Sequence, residues 1–357
     1  MPIDVTFLKQ HTPPQSPEQV AQLLGDFLGA AQASLHLAIY DFRLHKPSLA
    51  RPILDALRGR AAAGVEVRIA FDAGHADPAQ VGADPAPDGT GVFLRQAFGP
   101  ETGVQLKPIH GEKLMHNKYV IRDGPTRAAA LWTGSVNLTD DSLTLQESNI
   151  VRVTGSPELC NFYQTDFNEL WTTGQINSTG VGDRGTVNVE GALVDVAFSP
   201  GEGVQIDAAI ANQISGARRR IHLCSAIVTS HTILGALSDA LRHDGVDFRG
   251  VYDRTQMSDV RRQWREAGHH DAVMHLFDTL APRLAGKDSQ PYQADSPHDF
   301  MHNKVVVCDD VVVTGSFNFS RSATFNSENV LFIHSADVAA KYCAYIDQLI
   351  RDYGRPA

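Results

Sequence analysis

Cysteine is scarce and scattered in this chain. Cys160, Cys224, Cys308 and Cys343 form no CxxC pair and have no close histidine at zinc-like spacing, so neither a disulfide framework nor a zinc module organises the fold. The four thiols are expected to be buried, reduced and inert. Long apolar runs are missing as well. Nowhere do about eighteen apolar residues follow one another, and the opening MPIDVTFLKQHTPPQ has no basic stretch leading into an apolar one. The expectation is a cytoplasmic protein without stable membrane insertion. Positive charge is not in excess either: a formal net charge of -10 gives no general attraction to polyanions and leaves only a local basic groove to hold one. What is present is ordinary globular composition, 43% hydrophobic and 20% charged over 357 residues. That is more than a single core usually holds, which points to two domains.

The two domains read as copies of one unit. Both halves open on a short strand, DVTF at 4–7 and DVAF at 195–198. Matching strand–helix–strand units follow at 34–72 and 220–253, each helix ending near a glycine, Gly64 or Gly245. SPEQVAQLLGDFL, before the first unit, has the marks of a capped helix start in Ser16, Pro17 and Gln19. Long irregular segments, 73–114 and 254–300, lead into MHNKYVIRD (115–123) and MHNKVVVCD (301–309), then TGSVN (133–137) and TGSFN (314–318). Ten residues past each closing Asn stands a glutamate, Glu147 or Glu328, and an amphipathic helix ends each copy. The expected domains are 1–174 and 191–357, joined by a linker at 175–190. A mixed sheet covered by helices is the expected α/β fold, and like halves can pack about a pseudo-twofold axis as a homodimer would.

His and Lys two positions apart on a strand project from the same face. One such pair is commonplace. Here His116/Lys118 and His302/Lys304 recur with Asp123/Asp309, Ser135/Ser316, Asn137/Asn318 and Glu147/Glu328 in the same order, on otherwise apolar strands where each unsatisfied polar group costs roughly 1–3 kcal/mol. Two histidines can divide labour, one as neutral nucleophile and one as protonated acid, with a carboxylate beside each imidazole to fix its tautomer. Two lysines with Ser and Asn donors ring a tetrahedral anion such as phosphate. Such a constellation needs no metal and no cofactor.

MHNKYVIRD, MHNKVVVCD, GSVN and GSFN together resemble the paired HxKxxxxD and GSxN motifs of the phospholipase D superfamily, and the resemblance spans essentially the whole chain. It implies two tandem α-β-α sandwich domains sharing one site at their interface in a single, pseudo-dimeric chain. It also implies a two-step reaction through a phosphohistidine. The resemblance places His116, Lys118, Asn137, His302, Lys304 and Asn318 at the catalytic positions, Ser135 and Ser316 at the phosphate, and Glu147 and Glu328 beside the histidines. Asp123 and Asp309 would steady a loop. One departure stands out: ten residues separate Asp123 from Gly134, against five between Asp309 and Gly315, which suggests an enlarged hairpin turn at GPTRA.

The superfamily name leaves the phosphodiester open. SDVRRQWREAGHH offers Arg261, Arg262, Trp264 and Arg265 as a strip that would track a phosphate chain and stack a base, although Asp259, Glu266, Asp271 and Asp278 dilute its charge. GSFNFSRSATFNSEN resembles the corresponding stretch of small bacterial endonucleases of the superfamily. GVFLRQAFG at 91–99 is the best candidate for lipid contact, but reads better as a short packed element. The expectation leans to nucleic acid, with a phospholipid headgroup as the alternative substrate and a non-catalytic binding module as the alternative class.

Overall fold

The computed structural model describes residues 2–74, 89–242, 245–268, 270–293 and 296–354. The first half runs β1 (Ile3–Leu8), α1 (Pro17–Gly29), β2 (Ser34–Ile39), β3 (Phe42–Arg43), α2 (Pro47–Ala62), β4 (Glu66–Asp72), α3 (Thr90–Ala97), β5 (Gln105–Ile109), β6 (Lys118–Arg122), β7 (Ala130–Gly134), β8 (Leu138–Thr139), α4 (Asp140–Thr144), β9 (Ser148–Thr154) and α5 (Pro157–Thr173). The second runs β10 (Gly185–Val189), β11 (Ala192–Ser199), α6 (Gly203–Gly216), β12 (Arg220–Ser225), α7 (His231–Ala240), β13 (Asp247–Asp253), α8 (Arg254–Ala267), α9 (Asp271–Leu280), β14 (Leu284–Lys287), β15 (Lys304–Cys308), β16 (Val311–Gly315), β17 (Glu328–His334) and α10 (Ala336–Tyr353).

Each half builds one mixed sheet. The orders β1-β9-β7-β6-β2-β4-β5 and β11-β17-β16-β15-β12-β13-β14 correspond strand for strand, and β10 adds an extra edge to the second. Residues 185–189, within the stretch read as linker, therefore belong to a sheet. The segments read as irregular are also partly ordered. They contain α3 and β5 in one copy and α8, α9 and β14 in the other, with β5 and β14 extending the sheets in parallel. The strands QLKPI and LAGK are too short and too mixed in composition to show the apolar alternation that would have revealed them.

Local chemistry explains several elements. Ser16 and Gln19 close a reciprocal capping box at the start of α1, each side chain bonding the other's backbone N–H at 3.2 and 2.8 Å. Leu94 and Phe98 are buried, so the 91–99 stretch is a packed helix. The GPTRA insertion widens the β6–β7 hairpin without shifting its pairing, Val120 facing Trp132.

The layers follow from which faces are apolar. Helices α1, α2 and α3 cover the outside of the first sheet, and α6, α7 and α9 the outside of the second. Helices α5 and α10 lie in a central core with residues from both sheets, including Tyr163, Phe167, Val196, Val305, Tyr342 and Ile346. Polar cross-links repeat about the pseudo-twofold. The Asn149 amide donates to Thr314 at 2.9 Å, and Thr133 donates to Asn329 at 2.8 Å. All four cysteines are buried and free, and no helix among the described residues is long and apolar enough to cross a membrane.

Candidate active site

Strands β6 and β15 begin at Lys118 and Lys304, so each histidine sits just before its strand, at the edge where the halves meet. Its backbone is held from two sides. The amides of Met115 and Met301 donate to Asp72 at 2.7 Å and Asp253 at 3.0 Å, carboxylates at the ends of β4 and β13. The amides of His116 and His302 donate to the carbonyls of Ser327 and Glu147 in the opposite half, at 2.8 and 2.9 Å. Burial pushes Asp72 and Asp253 up to about 6 against the pull of those backbone amides. Both aspartates escaped the sequence reading as positioning groups. The available signal was a carboxylate ending a buried strand in both copies.

The decisive contact crosses between the halves. His116 Nδ1 and Glu328 Oε2 are 2.7 Å apart, both fully enclosed, so the carboxylate of one half sets the tautomer of the other half's imidazole. Lys118 and Lys304 each donate to the carbonyl of the histidine two residues before, at 2.7 and 2.8 Å, which fixes each ammonium beside its ring. Tyr40 packs against both His116 and Lys118. His302 is held well below the usual imidazole range, first by burial and then by the charges of Lys304, Lys118 and His116; a bond with the Ser135 backbone partly offsets this. Burial pushes Glu328 up to about 8, opposed by Lys118, Ser316, Asn326 and Lys304.

Glu147 is a correction. It was expected beside His302, but Ser135 Oγ bonds Asn149 while Ser316 Oγ bonds Asn329, so Asn149 and Asn329 are equivalent and Glu328 corresponds to Ser148. Eleven residues separate Asn137 from Asn149, and ten separate Asn318 from Asn329. That extra residue turns Glu147 to the other face of the strand. There it pairs with Lys287 at 2.5 Å and accepts from Tyr353 and from the Gln10 amide.

The motif serines are corrected too. Ser135 and Ser316 are fully buried, and their hydroxyls tie the GSxN turns to β9 and β17 instead of facing an opening. Gly134 and Gly315 precede them at φ 137° and 146°, where a Cβ would meet the carbonyl oxygens of Asn149 and Asn329 at 2.2 and 2.3 Å. Glycine is required there. Asn137 and Asn318 follow on the same turns, Asn137 with its amide nitrogen on the backbone bonded to Ser142 at 3.1 Å and its buried side-chain oxygen without a protein partner. Asp123 and Asp309 lie at the far ends of β6 and β15 from the lysines. Each accepts three successive backbone N–H groups, from Gln32, Ala33 and Ser34 or from Arg218, Arg219 and Arg220. Burial would raise the Asp309 carboxyl, but those amides hold it below its ordinary range.

The proposed basic strip is mostly spoken for. On α8, Arg261 pairs with Asp278 at 2.6 Å and Arg262 with Asp259 at 3.0 Å, while Trp264 leans on the outer core and Arg265 is exposed. Of the long segments 73–114 and 254–300, residues 75–88, 269, 294 and 295 lie outside the described residues. Among the described residues, no three His, Cys, Asp or Glu side chains converge to hold a metal ion.

The two glutamates separate by experiment. Glu328→Gln is expected to lower kcat roughly 10²-fold or more by releasing the His116 tautomer, whereas Glu147→Gln lowers it little. The raised Glu328 carboxyl also disfavours the fold as pH climbs from its unfolded value near 4.5 through about 8. Thermal melts should therefore show Glu328→Gln more stable than wild type above pH 8 and converging with it near pH 4. Equal kinetic losses for the two variants would overturn the assignment.

A family profile described as "Cardiolipin synthase, PLD-like domain" matches residues 24–171 and 210–350. The chain belongs to the phospholipase D-like family. Both halves of this phospholipase D-like chain carry the domain, and it is a phosphodiester-acting enzyme. Among solved structures it resembles phosphatidylserine synthase of Haemophilus influenzae, with 14% identity over 98% of this chain and 86% of that one, at a TM-score of 0.63. Polyphosphate kinase of Porphyromonas gingivalis matches with 10% identity over 98% of this chain and 47% of that one, at 0.59. The phospholipase D family member Nuc of Salmonella typhimurium is 26% identical over 46% of this chain and 97% of its own, at 0.35. No curated protein sequence matches.

Proposed function

We propose that this enzyme cleaves phosphodiesters in two steps through a phosphohistidine on His116. The observation that carries this reading is the His116–Glu328 pair across the halves. Once Glu328 is ionised and accepts from Nδ1–H, the Nε2 lone pair is presented to phosphorus, and the carboxylate compensates the positive charge that forms on the ring as the N–P bond is made. His302 hands its proton to the departing oxygen as the P–O bond breaks. It then takes a proton from water, whose oxygen attacks phosphorus and releases His116. Lys118, Lys304, Asn137 and Asn318 bind the non-bridging oxygens.

The proposed substrate is flexible or single-stranded nucleic acid. A stack of rings supports it: Tyr292, His298 and Phe300, at 4.8 and 5.1 Å between neighbouring centroids, lie on the segment that runs into His302, and Tyr292 is exposed. Aromatic faces beside a cationic phosphate site suit unpaired bases. The family description favours a phospholipid headgroup as the second reading.

One panel decides between them. Single-stranded DNA, RNA, duplex DNA and phosphatidylglycerol vesicles are incubated with wild type and His302→Asn, with and without EDTA. Cleavage of single strands that needs His302 and survives EDTA is the expected result. Headgroup release without nucleic-acid cleavage would replace the substrate, and abolition by EDTA with rescue by one divalent metal would overturn the mechanism.

A further inference from the structure

The register that displaces Glu147 leaves the two histidines with unlike partners. Glu328 opens β17 and reaches His116, whereas the equivalent first residue of β9 is Ser148. Ser148 is fully buried, and its hydroxyl oxygen has no protein partner. Neither has the enclosed Nδ1 of His302. The two atoms therefore make no hydrogen bond to each other: Ser148 stands at the pseudo-twofold position of Glu328, and the His302 ring receives no carboxylate from it. Both unsatisfied groups lie where a polar atom costs free energy unless it serves a purpose.

We propose that Ser148 fixes the role of His302: set by strand register where a carboxylate would otherwise stand, it keeps that position uncharged and leaves the imidazole a ready proton donor. This rests on the reading of His302 as the acid. The groups around His302 are Lys304 on its own strand, Lys118 and His116 on the facing half, and the Ser135 backbone on the neighbouring turn. Three of these are cationic or can become so, and a carboxylate at 148 would oppose them. An imidazolium backed by a carboxylate gives up its proton less readily, by about 1–3 pH units where the two are in contact. His302 thus supplies the proton and His116, backed by Glu328, supplies the nucleophile. The division of labour is built into one residue of register.

The test uses the full-length chain with labelled histidine, following by NMR the ring resonance that is absent from His302→Asn, alongside the pH profile of kcat/KM. Ser148→Asp or Ser148→Glu is expected to move the His302 titration and the activity optimum up by roughly one pH unit or more. Ser148→Ala, which adds no charge, should leave the His302 titration and the pH optimum in place. If the titration moves and the pH optimum does not, the acid role of His302 fails. If neither acidic variant moves the titration, the inference about Ser148 fails; should both prove insoluble, a displaced His302 titration in Ser148→Ala overturns it as well.

Discussion

Replacing His116 with Asn lowers kcat/KM by roughly 10⁴-fold or more, and so does replacing His302, while the double variant is within about tenfold of either single one. Members of a single catalytic unit fail together, so the non-additivity reports one shared site. Two independent sites would leave each single variant about half its activity. The two variants part company on bis(p-nitrophenyl) phosphate, whose leaving group departs without an acid. His302→Asn should release a burst of one p-nitrophenolate per chain and then stall as the phosphohistidine, whereas His116→Asn gives no burst. A burst from His116→Asn instead would exchange the roles of the two rings.

Lys287→Met carries the largest expected cost in stability. Glu147 and Lys287 are both enclosed, their charged atoms 2.5 Å apart, and Glu147 is already pushed up by burial, with Lys287 the leading influence against it. Removing the lysine strands a carboxylate in the core between the halves, which costs about 3–5 kcal/mol. Urea denaturation should register that loss, and Lys287→Met with Glu147→Gln should recover most of it, because the pair is replaced instead of broken. A loss below about 1 kcal/mol, or no recovery in the double variant, would mean that the pair does not bind the halves together.

The parts of the site that could be read from the chain are those carried by short spacings. HxK and GSxN are local patterns, and their recurrence makes two halves and one cationic site a simple inference. The capping box at Ser16 is legible for the same reason. Glu147 misleads because counting from Asn137 treats the connection as rigid, whereas one extra residue before β9 reverses which side of the strand it occupies. Arg261 and Arg262 mislead because their charge is cancelled by Asp278 and Asp259, one of them on the next helix. Asp72 and Asp253 were visible only as landmarks, since a carboxylate aimed at a backbone amide more than forty residues away leaves no local signature.

By itself the sequence determined the duplication, the α/β layers and the residue types of the site, because apolar periodicity, turn glycines and motif spacing act over a few residues. Only the tertiary structure decided which partner each histidine receives. His116 meets Glu328 more than two hundred positions away, Glu147 is spent on Lys287, and Ser148 takes the place that Glu328 holds in the other half. Such pairings depend on strand register and on the docking of one half against the other, and a single inserted residue changes them without altering any motif.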